Sequence, residues 1–309
     1  MARTWTWTGT SPDLREAQQF AVEAATAAGR LLREGVRGDI NVRAKGPGDV
    51  VTDLDFAAER LLVDRIRERF PDHEIFAEEG GRYAAAEDTW TWLVDPLDGT
   101  NNVAIGLPAY VVGLALCADR VPVLGVVHDP ISGRTWSAVR GHGAVVHPGA
   151  APDSGAPADP VPLRLPHRPV PTAPVLAWTQ GHDVRRDDST LRALKVVLDG
   201  TARRVLQLWA PLLSWVMLAR GDIDGIVGYR PEAVDLPAGV LLATESGMVV
   251  RALDGTEFDP RIGVPAERRS FVAGPPETID RLVKLVTAAQ WIEPEMRRLT
   301  PVSLSSVGW

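Results

Sequence analysis

The apolar run from Trp90 to Val94 breaks into Asp95-Pro96-Leu97-Asp98-Gly99-Thr100, which sets two carboxylates in a turn-forming cluster at the end of a predicted strand. Like charges gathered at the end of a core element repel one another, so a fold built around this point has to supply a counter-charge. The placement recurs twice. Asp55 stands at the start of a predicted helix, and Glu78-Glu79 closes the short apolar run Ile75-Phe76-Ala77 ahead of Gly80-Gly81. Carboxylates converging from element ends, with oxygen as the donor, suit magnesium, manganese or calcium rather than zinc. Asp95 and Asp98 are spaced to share one ion with the Leu97 carbonyl nearby. Gly99 permits close backbone approach, and Thr100-Asn101 can open a helix whose N–H groups hold an anion. A metal-bound phosphate is the natural occupant.

Taken singly, each feature also has an ordinary reading. Thr52 and Asp55 read equally well as an N-cap with its partner three residues on. Asp95 to Gly99 reads as a plain turn, and Glu78-Glu79 as a solvated pair. Their occurrence together, in this order, weakens all three ordinary readings.

The surrounding pattern sets the organisation. Ser11-Pro12-Asp13 signals a helix start, and Leu14, Ala17, Ala21, Ala24, Ala28 and Leu31 recur at helical spacing to about Arg33. A second helix runs from Asp53 to just before Pro71. Strand-like runs at 110–118, 121–128 and 134–139, joined by short turns, predict an antiparallel meander. Residues 151–174 are rich in Pro, Ala and Gly and read as a crossing between an N-terminal α+β domain (1–150) and a C-terminal α/β domain (175–290). In the latter, strands near 175–178, 203–208, 223–227, 248–252 and 270–273 alternate with helices near 187–198, 212–220, 237–245 and 277–289. The tail, 291–309, shows no period.

Composition removes several function classes. Of 309 residues, 33 are Lys or Arg and 40 are Asp or Glu, and the resulting net charge of −7 gives no footprint for a nucleic-acid polymer. The apolar share of 45% is too high for a disordered chain, and no run is long enough to span a membrane. The first residues carry no apolar secretory core, so the cytoplasm is the expected compartment. Cys117, the single cysteine, lies in an apolar run and reads as a buried hydrophobe, which excludes intrachain disulfides and cysteine-cluster zinc sites.

The segments GDVVTDLD (48–55), AEEGG (77–81) and WLVDPLDGTNN (92–102) resemble, in order and spacing, three successive signatures of the inositol monophosphatase family. AVDLPAGVLLATESGMVV (233–250) resembles the family's C-terminal signature, and the likeness spans about residues 12–290. It implies a layered αβαβα sandwich with a mixed or antiparallel N-terminal sheet, and a homodimer. It also implies magnesium-dependent hydrolysis of a small phosphate monoester with two or three Mg2+ ions. By position, Glu78, Asp95 and the Leu97 carbonyl would hold one magnesium, and Asp95, Asp98 and Asp235 a second. Thr100 and Asp55 would orient the attacking water. The Gly99 and Thr100 N–H groups would receive phosphate oxygens, and Lys45 and Glu79 would flank a weaker third ion.

Departures from the pattern bear on the substrate. Val234 stands where the family usually has Trp. Counting back from Asp235, the position of the acid that contacts the inositol ring falls on or near Gly228. Gln207-Leu208-Trp209-Ala210 replaces a segment rich in Gly and Ser/Thr. A lost acid and a gained indole point away from inositol phosphate. Histidinol phosphate, a sugar phosphate and a 3'(2'),5'-nucleoside bisphosphate are the alternatives within the class. A phosphate-ligand binding protein without turnover is the rival outside it.

Overall fold

The computed structural model describes residues 13–46, 48–85, 89–149, 159–165 and 169–299. α1 (Leu14–Gly35) is capped by the carboxylate of Asp13, which accepts from Arg15 N at 2.9 Å. The expected cap, Ser11, lies outside the described residues, and Asp13 already stands where a cap must to reach the first turn. Ala17, Ala21, Ala24 and Ala28 form the buried stripe of α1, and such short side chains let the helix lie close on the sheet beneath. A small hairpin, β1 (Val42–Gly46) and β2 (Asp49–Thr52), leads directly into α2 (Asp53–Arg69).

The first sheet has eight strands: β3 (Glu74–Ala77), β4 (Gly81–Tyr83), β5 (Trp90–Asp98), β6 (Val111–Ala118), β7 (Val121–Asp129), β8 (Arg134–Val139), β9 (Gly143–His147) and β10 (Val161–Pro162). Its spatial order is β10-β9-β8-β7-β6-β5-β3-β4. The predicted meander is present as β6, β7 and β8. The short strands β4, β9 and β10 gave no alternation in the sequence, and they extend the sheet at both edges. All neighbours are antiparallel except β3 and β5. A five-residue helix, α3 (Thr100–Ala104), follows β5.

The second sheet has the order β12-β11-β13-β15-β14, built from β11 (Val175–Gln180), β12 (Arg204–Leu206), β13 (Gly225–Tyr229), β14 (Val249–Ala252) and β15 (Phe271–Gly274). β11 runs parallel to β12 and β13, and the remaining pairs are antiparallel. The helices here are α4 (Ser189–Thr201), α5 (Pro211–Ala219), α6 (Pro237–Glu245), α7 (Ile279–Thr287) and α8 (Ala289–Arg298).

Three apolar cores order these elements into α–β–α–β–α layers. The first lies between α1/α2 and the eight-stranded sheet, around Leu62, Ile66, Trp92 and Leu114. The second joins the two sheets through α5 and α6, around Leu212, Trp215, Leu241 and Phe271. The third packs α4, α7 and α8 on the far face of the second sheet. Cys117 is fully buried in the second core, as its apolar setting predicts. Among the described residues no helix is long and apolar enough to cross a membrane.

Two expectations fail here. The tail is not aperiodic throughout, because α8 docks on α4: Ser189 Oγ donates to Glu293 at 3.0 Å, and Arg192 donates to the carbonyls of Met296 and Leu299. Pro294 inside α8 removes an amide and masked the helical pattern; residues 300–309 lie outside the described set. The strand expected at 203–208 ends at Leu206, because Trp209 adopts φ +51° and Pro211 then opens α5.

Candidate active site

Each sheet has parallel strands, and their carboxyl ends face a common cleft. In the first sheet, Ala77 of β3 pairs with Val94 of β5, and Glu78 N donates to Val94 O at 3.1 Å. Glu78 and Asp95 therefore leave the sheet side by side. Along a regular strand Asp95 and Asp98, three apart, would point to opposite faces. Instead Asp95 pairs with Gly113 and Asp98 with Val111, so β5 spends three steps where β6 spends two. The extra residue is a β-bulge, which re-aims Asp98 to the side of Asp95. The sequence suggests a turn here; the structure keeps the segment in the ladder and kinks it. Gly99 then turns the chain at φ +110°, where a Cβ would lie 2.7 Å from Ala109 O, so the position accepts only glycine.

Asp55 resolves its two readings by dividing its oxygens. Its Oδ2 accepts from both the N and the Oγ1 of Thr52, completing a capping box on α2. Its Oδ1 accepts from Thr100 Oγ1 at 2.7 Å. Thr100 Oγ1 also lies 3.0 Å from Leu97 O, so the hydroxyl is fixed between the two. Burial pushes the Asp55 carboxyl up, and the bonds from Thr52 and Thr100 oppose that shift.

Asp235 arrives from the loop between β13 and α6. One carboxylate oxygen from each of Asp95, Asp98 and Asp235 lies within 4.8 Å of the others. Asp98 Oδ2 also accepts from Leu212 N at 2.7 Å and Leu213 N at 3.3 Å, and so caps α5, whose own N-cap residue is alanine. All three acids are held well above the usual carboxylate range, first by burial. Repulsion adds to this: Glu78, Asp98 and Asp235 raise Asp95, and Asp98, Glu78 and Glu232 raise Asp235. Such a cluster fits a hard cation: every donor is oxygen, and the repulsion is what a positive ion would relieve.

Glu78 lies beside this cluster and is raised by burial. Lys45 opposes the shift, its Nζ standing 2.9 Å from Glu78 Oε1 and 2.7 Å from Glu79 Oε1. Burial alone would lower the Lys45 ammonium, but the two glutamates outweigh it and hold it above its ordinary value. The cleft continues to a second wall at the ends of β11 and β13, where Gln180 pairs with Tyr229. That wall presents Trp178, Gln180, His182, Gln207, Trp209 and Glu232.

The inositol monophosphatase family model matches residues 13–290. The chain belongs to the inositol monophosphatase family. An inositol monophosphatase of Mesembryanthemum crystallinum is 31% identical over 247 residues, covering 77% of this chain and 86% of the relative. An inositol-1-monophosphatase of Mycobacterium leprae is 34% identical over 222 residues, covering 70% and 73%. The solved structure of a Thermotoga maritima IMPase, 27% identical, covers 90% of this chain and 99% of its own with a TM-score of 0.73. The layered α/β fold is therefore the family fold, and the activity is magnesium-dependent hydrolysis of a small-molecule phosphate monoester.

Within this family frame the substrate side departs from the sequence reading. Gly228 does not line the cleft. It lies mid-strand opposite Phe271, and a Cβ there would meet the Phe271 ring at 2.2 Å. The acid lining this wall is Glu232, on the loop three residues before Asp235, so the wall still carries a carboxylate, at another position. Counting along the chain missed it because β13 runs to Tyr229 before the loop begins. Trp215 is fully buried and stacks on Phe271, while Trp209 is 54% exposed at the cleft mouth. His182 and Asn102 carried no sequence assignment. His182 lines the second wall. Asn102 Nδ2 donates to Ala109 O and Leu208 O, tying α3 to the segment that carries Trp209. Its place in the GTNN run of the third signature was the one available signal. Arg185 pairs with Asp187 on the surface, as an ordinary solvated arginine.

Proposed function

We propose that Glu78, Asp95 and the Leu97 carbonyl would hold one magnesium ion, and Asp95, Asp98 and Asp235 a second. Bound there, magnesium supplies the positive charge that acidifies the attacking water and meets the leaving alkoxide. The chain's own groups do the rest. Thr100 Oγ1 takes a proton from the water as it passes its own to Asp55 Oδ1, at the 2.7 Å separation that supports this reading. The N–H groups of Gly99 and Thr100, at the start of α3 where intrahelical acceptors are lacking, are assigned to phosphate oxygens. A third ion beside Glu79 would compete with the Lys45 ammonium for the same carboxylates. Asp98 ends β5 of the first sheet and Asp235 lies on the loop that follows β13 of the second, so the ester sits between the two walls.

The observation that carries this reading is the convergence of three acids within 4.8 Å beside a hydroxyl already bonded to a fourth. A protein that only binds a phosphate ligand has no use for the Thr100–Asp55 pair. Histidinol phosphate, a sugar phosphate and a nucleoside bisphosphate are the candidate esters. The family resemblance supports a homodimer acting on a small phosphorylated metabolite, while the net charge of −7 argues against a nucleic-acid polymer and the short apolar runs against a membrane; the proposed compartment is the cytoplasm. Phosphate release from a panel of these esters, with and without magnesium, tests the reading. Turnover of at least one, dependent on magnesium, is expected; bound magnesium with no release from any ester would favour the binding protein.

A further inference from the structure

The charges on the second wall narrow the substrate, given the phosphatase reading above. Among the described residues that line the cleft there is no Lys or Arg. Two magnesium ions would balance the four carboxylates assigned to them, and the Lys45 ammonium behind Glu78 is balanced by Glu79, 2.7 Å away. The phosphate dianion and two further carboxylates, Asp49 and Glu232, then leave the filled cleft net negative. A second phosphate or a carboxylate on the alcohol would add to that excess, whereas a cation would relieve it.

Glu232 is placed to receive such a cation. Its Oε1 accepts from His182 N at 3.1 Å, and among the described residues Oε2 has no hydrogen-bond partner and no ion pair. Asp49 is partly shared, with His182 Nε2 at 3.7 Å from its Oδ1. Arginines do occur in the groove beyond Glu232, but Arg185 is held by Asp187, and Arg230 lies 3.9 Å from Asp188. Arg269, also in that groove, acts on Asp235, and it shares the groove with Asp183, Asp187, Asp188 and Glu267. Over the mouth stands the exposed indole of Trp209, a face on which a ring or an ammonium can rest.

We propose that the ester hydrolysed here is that of an amine-bearing alcohol, its ammonium held by Glu232 with Asp49 and its apolar part covered by Trp209. The class follows from charge complementarity between a cation and an acid that makes no ion pair among the described residues. It disfavours the bisphosphate alternative.

The test compares kcat/KM for two esters of one skeleton, 2-amino-3-phenylpropyl phosphate and 3-phenylpropyl phosphate, in the presence of magnesium. The wild type is expected to prefer the amine by about tenfold or more, the size of a charge-assisted hydrogen bond. Glu232→Gln should bring the ratio to within about threefold, and Asp49→Asn should lower it less. Equal rates in the wild type, or an unchanged ratio in folded Glu232→Gln, would overturn the proposal. So would a preference for a substrate carrying a second phosphate. Product inhibition of the wild type needs no variant: 2-amino-3-phenylpropanol should inhibit more strongly than 3-phenylpropanol, and equal inhibition would contradict the assignment. Magnesium-dependent release from p-nitrophenyl phosphate, run alongside, reports on the phosphatase reading alone. Its absence would sink that reading, whereas its presence without amine preference sinks only the present inference.

Discussion

The two walls of the cleft are built on the same backbone device and filled by opposite rules. Each uses the carboxyl ends of parallel strands, β3 with β5 on one side and β11 with β13 on the other. The first wall packs acids against one another, spaced by a bulge and a positive-φ glycine, so little can change there without breaking the charge arrangement. The second presents an assortment, Gln180 at the end of β11 and Trp209, His182 and Glu232 on loops that follow the strands. Apart from Asp235, which joins the acids from the loop after β13, the proposed chemistry belongs to the first wall and the choice of ester to the second. Asp98 and Asn102 tie them together, the first by capping α5 and the second by holding Leu208.

Substitutions on the two walls should therefore differ in kind. The largest effect is expected from Thr100→Val, which keeps the shape and removes the hydroxyl: kcat should fall by about 10²–10⁴-fold. Because the capping box on α2 uses the other oxygen of Asp55, the melting temperature should move little. Asp55→Ala should lose the same activity and in addition about 0.5–2 kcal/mol of stability with the cap. Denaturant titration beside steady-state kinetics separates the two; equal stability in both variants would undo the division of labour assigned to Asp55.

Next in size is Gly228→Glu, which restores the acid that counting along the sequence calls for. With the Phe271 ring 2.2 Å from the new Cβ, it should cost several kcal/mol of stability, on the order of 3, and confer no inositol phosphate activity. A stable variant with new activity on that ester would place Gly228 on the second wall after all. The smallest effect is expected from Trp209→Ala. In the proposed arrangement its indole would cover the alcohol and not the phosphate, so KM should rise by about 2–10-fold with kcat little changed. A large loss of kcat instead would mean that the second wall takes part in the chemistry.

The same contrast explains what could be read from the chain. The first wall is legible because its acids lie in short local segments punctuated by Pro and Gly, where carboxylates have no reason to gather unless a cation joins them. Asp95, Asp98 and Glu78 are each fixed by a few neighbouring residues. The second wall depends on where strands end. Gln207, Trp209, His182 and Glu232 are residue types equally at home on any surface, and only the lengths of β12 and β13 turn them toward the cleft. Gly228 was misplaced for that reason. The meander and the α/β alternation were legible from period and turn chemistry. The short edge strands β4, β9 and β10 were not, since a few residues carry no period. Pro294 hid α8, whose support comes from α4 rather than from its own propensity.

Magnesium titration of the wild type and Asp95→Asn, followed by both turnover and melting temperature, addresses the acidic cluster most directly. Asp95 is buried among Glu78, Asp98 and Asp235, so without metal its charge works against the fold. The metal-free variant should therefore melt higher than the metal-free wild type, by about 2 °C or more. It should lose most of the stabilisation by magnesium, and turn over at least about 10³-fold more slowly at saturating metal. A variant that is less stable without metal, or that retains magnesium-dependent turnover, would contradict a site organised around Asp95.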